Sequence, residues 1–191
     1  KKDKIKLTMK IVSFRGDYFK LKDHCKFKVK NLVYPVPNPN FPFLGIHLTR
    51  MTNGDIECGP NAVFTFKREG YKKTDFNLKD TLNDLCFTGT MKLFINNWKF
   101  GLKEYQRAFS KSLFLNELNK MLPSLGINDI EKARSGVRAI ALEQSGQIVD
   151  DFKIINKRNN IHVLSAPSPA ATACLAIGEN IMHEAIKHCK I

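Results

Sequence analysis

Over the first third of the chain, apolar and polar positions follow a strand-like pattern. Met9 to Phe14 is an apolar run, Arg15-Gly16 interrupts it, and Tyr18, Phe19 and Leu21 resume it, which predicts two short strands with a break. Lys26, Lys28 and Lys30 alternate with Phe27 and Val29, which predicts a third strand from Phe27 to about Tyr34 with its lysines in water. The proline-rich stretch 35–42 cannot sit inside a sheet and reads as a stiff loop. Gly45 to Met51 and Ile56 to Cys58 flank Asn53-Gly54-Asp55, the clearest hairpin in the sequence. Gly59-Pro60-Asn61 breaks the chain again before a strand from Ala62 to Phe66.

After residue 75 the spacing changes. Asp75 or Asn77 can cap a helix running to about Phe87, and 88–98 continues in helical pattern. Leu102, Tyr105, Phe109, Leu113, Leu118 and Leu122 then recur every three to five residues, which predicts one amphipathic helix packed on the core and ended by Pro123. Strand pattern returns over 133–142, turns at Ser145-Gly146, continues over 147–155 and turns again at 156–160. A short apolar strand, 161–164, leads into Ser165-Ala166-Pro167-Ser168-Pro169. The last helix is predicted from Pro169 to about Lys187, with Ser168 as its N-cap. Strands, helices, strands and a helix in that order predict an α+β fold on a mostly antiparallel sheet.

The small residues Ala170, Ala171, Thr172 and Ala173 leave the predicted helix start bare. Such an N-terminus can receive a flat or anionic ligand, because its amides and dipole point outward. Close helix–strand packing asks for the same small residues, and both readings stand at this point.

Composition narrows the class. With 43% hydrophobic and 26% charged residues in 191, the chain reads as one ordinary globular domain. The longest apolar run falls far short of the roughly 20 residues that span a bilayer, and Lys1-Lys2-Asp3-Lys4 does not open a signal peptide. The expected location is cytoplasmic. The sequence lacks an initiating Met, so a processed product or a piece of something longer is expected. The net charge of +13 raises nucleic acid, anionic membrane and acidic substrates as partners. Aromatic residues are not interleaved with arginines in a nucleic-acid motif, so nucleic acid is set aside. Five widely spaced cysteines and five histidines show no metal-ligand spacing, and no metal is expected.

Several segments together resemble the L-2-hydroxyglutarate dehydrogenase/oxidase family of D-amino-acid-oxidase-like flavoproteins. They are Phe14-Arg15-Gly16-Asp17-Tyr18, Tyr34-Pro35-Val36-Pro37, Phe41 to Arg50, Gly59 to Val63, Phe66 to Tyr71, Gly136-Val137-Arg138-Ala139, Val149 to Phe152, and Ala166 to Thr172. Their order spans residues 11–180 and resembles the C-terminal half of that family. No two glycines here are separated by one residue, so the dinucleotide-binding GxGxxG loop cannot be present. The resemblance implies a substrate-binding part over 1–160 with a helical insert at about 77–122. It implies a terminal strand and helix of an FAD-binding domain over 161–191, with the N-terminal βαβ unit missing.

The resemblance implies FAD as cofactor, its ring near Ser165, Ala166, Pro167, Ser168, Pro169, Ala170, Ala171 and Thr172, with Arg15 and Gly16 at the crossing between domains. The substrate implied is a 2-hydroxy acid, L-2-hydroxyglutarate, oxidised to 2-oxoglutarate. His47 is the expected base: strand alternation sets it beside Thr49, away from Ile46 and Leu48, and imidazole is poised near neutral pH. A hydrogen-bonded structural histidine is the competing reading. Arg138 is the expected carboxylate clamp, against a surface arginine doing nothing specific. Thr49 is a further substrate-binding candidate, and Arg50 or Lys67-Arg68 are weaker candidates for the second carboxylate. The family commonly has Gln where this chain has Ile140, and Asn where it has Ser165. Phe43 stands where some amine oxidases carry an oxygen-activating lysine, so a quinone or dye acceptor is expected, at the surface of the inner membrane, rather than dioxygen. The expected partner is the missing N-terminal FAD-binding half. A non-catalytic remnant or one subunit of a split enzyme is the alternative.

Overall fold

The computed structural model describes residues 3–36, 45–167 and 170–189. Strands β1 (Met9–Gly16) and β2 (Phe19–Leu21) follow one another almost without a break, yet they belong to different sheets. β1 lies between β5 (Val63–Phe64) and β7 (Gly136–Glu143), antiparallel to both. β2 lies between β4 (Ile56–Gly59) and β6 (Ile130–Lys132), again antiparallel, and β3 (His47–Arg50) completes that sheet in the order β3-β4-β2-β6. At the crossing the backbones run close: a Cβ on Gly16 would lie 2.5 Å from Pro60 Cβ, so only glycine fits. Strands β8 (Lys153–Lys157) and β9 (Asn160–Ser165) form a separate antiparallel hairpin followed by α4 (Cys174–Cys189). This is the α+β, mostly antiparallel architecture that the element order predicts.

Each of the two larger sheets has its own apolar core. Leu21, Leu48, Ile56, Cys58 and Ile130 pack with Phe114 and Leu118 of α3 (Lys111–Leu118). Val12, Phe14, Phe64 and Leu142 pack with Leu93 of α2 (Thr88–Phe109). Helix α1 (Leu78–Leu85) opens as predicted on Asn77, whose side chain accepts the Asp80 amide. The predicted hairpin at 53–55 is also present, with Gly54 at positive φ and the Asn53 side chain accepting the Asp55 amide.

Five expectations are corrected. The strand predicted from Phe27 is a 3-10 helix, Asp23–Lys28, followed by irregular chain whose one ladder contact with β3, among the described residues, is a bridge between Val33 and Leu48. Ion pairs explain it: Lys26 reaches Asp55 and Lys28 reaches Asp129, so the lysines are held by different partners while Phe27 is left 72% exposed. The single helix predicted over 102–122 is broken at Ser110, whose hydroxyl accepts the Leu113 amide and starts α3. The strand predicted over 133–142 starts only at Gly136, as β7, because the chain just before it, β6, pairs with β2 in the other sheet. The return strand predicted over 147–155 holds only a Leu142–Ile148 bridge before β8 begins at Lys153. The last helix begins at Cys174, not at Pro169. Ser168 and Pro169 lie outside the described residues; Ala170 to Ala173 form turns, with the Ala170 amide on the Pro167 carbonyl. Ala171 and Thr172 are exposed.

Candidate functional site

Strand alternation in β3 buries Leu48 in the core and leaves His47 and Thr49 half-buried on the other side. The His47 Nδ1 lies 3.0 Å from the Gly45 carbonyl oxygen. A carbonyl can only accept, so Nδ1 carries the proton and Nε2 presents the lone pair. The Tyr34 ring stacks on the imidazole with centroids 4.5 Å apart and planes 21° apart. Burial holds the ring below the ordinary imidazole pKa; the Gly45 carbonyl opposes this and the positive charge of Arg138 adds to it. The neutral, base-ready form is therefore favoured.

Arg138 comes from β7, opposite Phe14 in the ladder with β1. It is half-buried, and its guanidinium forms no hydrogen bond or ion pair among the described residues. A half-buried cation without an anion invites one, and its planar fork suits a carboxylate. The structure thus brings His47 and Arg138 within electrostatic reach, although 90 residues separate them in sequence.

The other arginines are placed differently. Arg15 is 5% exposed and donates to Asp17 through Nε at 2.9 Å and through its second terminal nitrogen at 3.4 Å. It also donates to the Lys72 carbonyl at 3.1 Å, while Ser135 Oγ and Arg15 share Asp17 Oδ1. The Asp17 amide donates to Asn61 Oδ1 at 2.7 Å, which ties Gly59-Pro60-Asn61 to the same junction. Arg50 is exposed and donates to the Val29 carbonyl at 3.1 Å. The Arg68 amide is held by Asp80.

Ser165 ends β9 and is buried; Ala166, Pro167, Ala170, Ala171 and Thr172 follow, most of them exposed. Ala166, Ala170 and Ala171 carry nothing beyond Cβ, the small side chains that close approach of a flat ring to the end of β9 would require. The same residues supply no counterpart for a pyrophosphate. A cleft of about 630 Å³ runs along β1 and β7, lined by Ile11, Ser13, Val137 and Ala139 with Leu164 of β9 at its side. Arg138 sits between Val137 and Ala139 and so points to the opposite face of the strand.

The chain is 48% identical over 181 residues to the L-2-hydroxyglutarate dehydrogenase of Indibacter alkaliphilus, a match that covers 95% of this chain and 45% of that protein. It is 43% identical over 172 residues to that of Escherichia coli K12, covering 90% of this chain and 41% of the relative. The mitochondrial enzyme of Caenorhabditis elegans is 42% identical over 187 residues, with 95% and 43% covered. By sequence the chain is a relative of the L-2-hydroxyglutarate dehydrogenases. It spans less than half the length of the curated relatives that it matches. No family model matches it.

Within this family likeness, sequence reasoning missed two partners. Tyr34 stands in Tyr34-Pro35-Val36-Pro37, a motif from which no role for it can be read, and only folding stacks it on His47. Asp17 stands two residues from Arg15 on extended chain, a spacing that puts opposite charges on one side and could have signalled the pair. The fold also gathers His24, Cys25 and Asp129, whose potential ligand atoms lie within 4.8 Å of one another. Asp129 is already engaged by the Gly126 amide, His24 and Lys28, which hold it down to about 2, and burial pushes the Cys25 thiol up. That saturation makes the cluster a clasp between the 3-10 helix and β6, and gives a metal no advantage there.

Proposed function

We propose that the chain is the substrate-binding part of an FAD-dependent oxidoreductase that converts L-2-hydroxyglutarate to 2-oxoglutarate. The observation that carries this reading is a base-ready imidazole, with its free lone pair fixed at Nε2, within electrostatic reach of a half-buried arginine with no anion among the described residues. Arg138 takes the C1 carboxylate and orients the substrate. His47 Nε2 accepts the C2 hydroxyl proton; a bound FAD would supply the acceptor for the hydride leaving C2. Loss of one proton and one hydride turns the alcohol into the ketone and balances the step. Thr49, on the His47 side of β3, is the nearest hydroxyl along the strand for a further substrate contact. Ser165 to Thr172 would hold the ring end of FAD, and the dinucleotide-binding half of a full-length enzyme would hold the rest. A membrane quinone is the acceptor that this reading favours; the Phe43 position behind that preference lies outside the described residues.

Flavin content and turnover test the reading. Purified alone, the 191-residue chain is expected to hold no flavin and to leave L-2-hydroxyglutarate unchanged. Joined to a dinucleotide-binding N-terminal half from a relative, it is expected to bind FAD and to form 2-oxoglutarate. A joined protein that binds FAD and shows no turnover would make the chain a non-catalytic remnant.

A further inference from the structure

Tyr18 lies on the short link between β1 and β2, where the chain passes from one sheet to the other. The polar groups around it are spent on the fold. Asp17 holds Arg15 and Ser135, and the Tyr18 carbonyl accepts the Ala133 amide at 3.0 Å. The Tyr18 ring is placed differently, between glycines of the two sheets. A Cβ on Gly59, the last residue of β4, would lie 3.0 Å from Tyr18 Cδ1. A Cβ on Gly136, the first residue of β7, would lie 3.9 Å from Tyr18 Cε2. The ring occupies space that side chains at these two positions would otherwise contest.

Both glycines belong to the strands of the candidate site. Gly59 is the ladder partner of His47. Gly136 stands two residues before Arg138, so positions 136 and 138 open on the same face of β7. The ring therefore lies between the strand pair that carries the base and the strand that carries the clamp. Cε2 is bonded to the carbon that bears the hydroxyl, so the polar end of the ring is the end beside Gly136, on the Arg138 side. Tyr18 is half-buried, and its hydroxyl has no hydrogen-bond partner among the described residues. Tyr105 shows the contrast: its hydroxyl is spent on the Phe64 carbonyl. Phenols in partly apolar surroundings usually find a partner. This one still has a proton to donate.

We infer that Tyr18 is a second donor to the C1 carboxylate of the 2-hydroxy acid, hydrogen-bonding one carboxylate oxygen while Arg138 holds the group through its fork. The inference rests on the substrate reading of His47 and Arg138. A single guanidinium fixes the plane of a carboxylate and leaves the rest of the acid free to rock about it. A donor from a different strand removes that freedom and turns the C2 hydroxyl toward His47. A phenol does this without placing a second positive charge beside Arg138.

Tyr18→Phe in the FAD-loaded full-length enzyme carrying this chain is the test, because it keeps the ring and its contacts with both glycines. KM for L-2-hydroxyglutarate should rise roughly 10-fold with kcat within about threefold. The Kd of 2-oxoglutarate, which keeps the C1 carboxylate, should weaken by the same factor in calorimetry. The melting temperature should not change, since the hydroxyl bonds nothing in the unliganded protein. Combined with Arg138→Ala, the loss should be smaller than the product of the two single losses, because both act on one carboxylate. Unchanged KM and Kd in Tyr18→Phe, with both raised in Arg138→Ala, would overturn this inference and leave the substrate reading standing. No change in either variant would overturn the two together. A loss confined to kcat would put Tyr18 on the proton path, and fully multiplicative losses would put it on another part of the substrate; each would overturn the inference as well.

Discussion

Arg15 and Arg138 stand one register step apart on neighbouring strands, since Arg15 pairs with Val137 and Phe14 with Arg138. They face opposite sides of the sheet and live in opposite conditions. Arg15 is buried, bidentate on Asp17 and bonded to a carbonyl besides. Arg138 is half-buried, has no anion among the described residues, and lends its charge to His47. The difference teaches where function can reside. A buried arginine whose charge is already matched by its own carboxylate fixes a junction; a half-buried arginine with no anion has its fork to offer.

The sharpest way to break the comparison is to remove the anion from the saturated side. Asp17→Ala leaves a buried guanidinium without its carboxylate, which costs about 3–5 kcal/mol and lowers the melting temperature by about 10 °C in a chain of this size. Arg138→Ala at the same strand pair should change stability by less than about 1 kcal/mol. Thermal unfolding of the two variants side by side decides it; equal losses would mean that Arg138 is also a structural residue.

Activity should reverse that order. In the FAD-loaded full-length enzyme, Arg138→Ala removes a charge-assisted clamp worth about 2 kcal/mol, so KM for L-2-hydroxyglutarate should rise roughly 30-fold with a smaller change in kcat. His47→Ala should act mainly on kcat. If neither parameter moves in either variant, the site assignment falls while the family likeness stands.

How much of this was legible beforehand follows from range. The hairpin at 53–55, the Asn77 cap and the alternation that sets His47 apart from Leu48 are all decided within four residues of chain, and all are present. The strand expected at Phe27 failed because its lysines answer to Asp55 and Asp129, far along the chain. Leu102 and Phe109, expected to pack on the core, are 53% and 71% exposed and show the same limit from the other side: helical spacing marks an apolar face, and it does not say which surface that face meets. His47 and Arg138 were each visible as residue types in motifs. Their mutual influence needed two sheets to be set side by side.

The acid side of the pH profile sharpens the comparison further. His47 titrates below its ordinary value, and its unfolded value lies near 6.5. The neutral ring is thus the form that the fold favours. Its contribution is fully present above about 6.5 and is lost as pH falls through the lower, folded value. The acid limb of kcat/KM should accordingly fall below 6.5. Arg138→Met removes one of the two depressing influences, so the His47 ring resonances should titrate closer to 6.5 by NMR, yet stay below it because burial is the larger cause. A titration that does not move would mean that the charge of Arg138 does not reach the ring.

The smallest expected effect tests Tyr34, the partner that pattern did not disclose. Its ring lies nearly parallel to the imidazole, 4.5 Å away, and the Gly45 carbonyl fixes the ring's edge; together they define the direction of Nε2. Tyr34→Phe keeps the stack and should leave kcat within about twofold. Tyr34→Leu removes a contact of about 0.5–1.5 kcal/mol and should lower kcat by roughly 2- to 10-fold, with KM unchanged because Arg138 still holds the carboxylate. A loss confined to KM would put Tyr34 on the substrate and not on the base. A loss equal in the Phe and Leu variants would assign the effect to the hydroxyl, and the stack would then be packing alone.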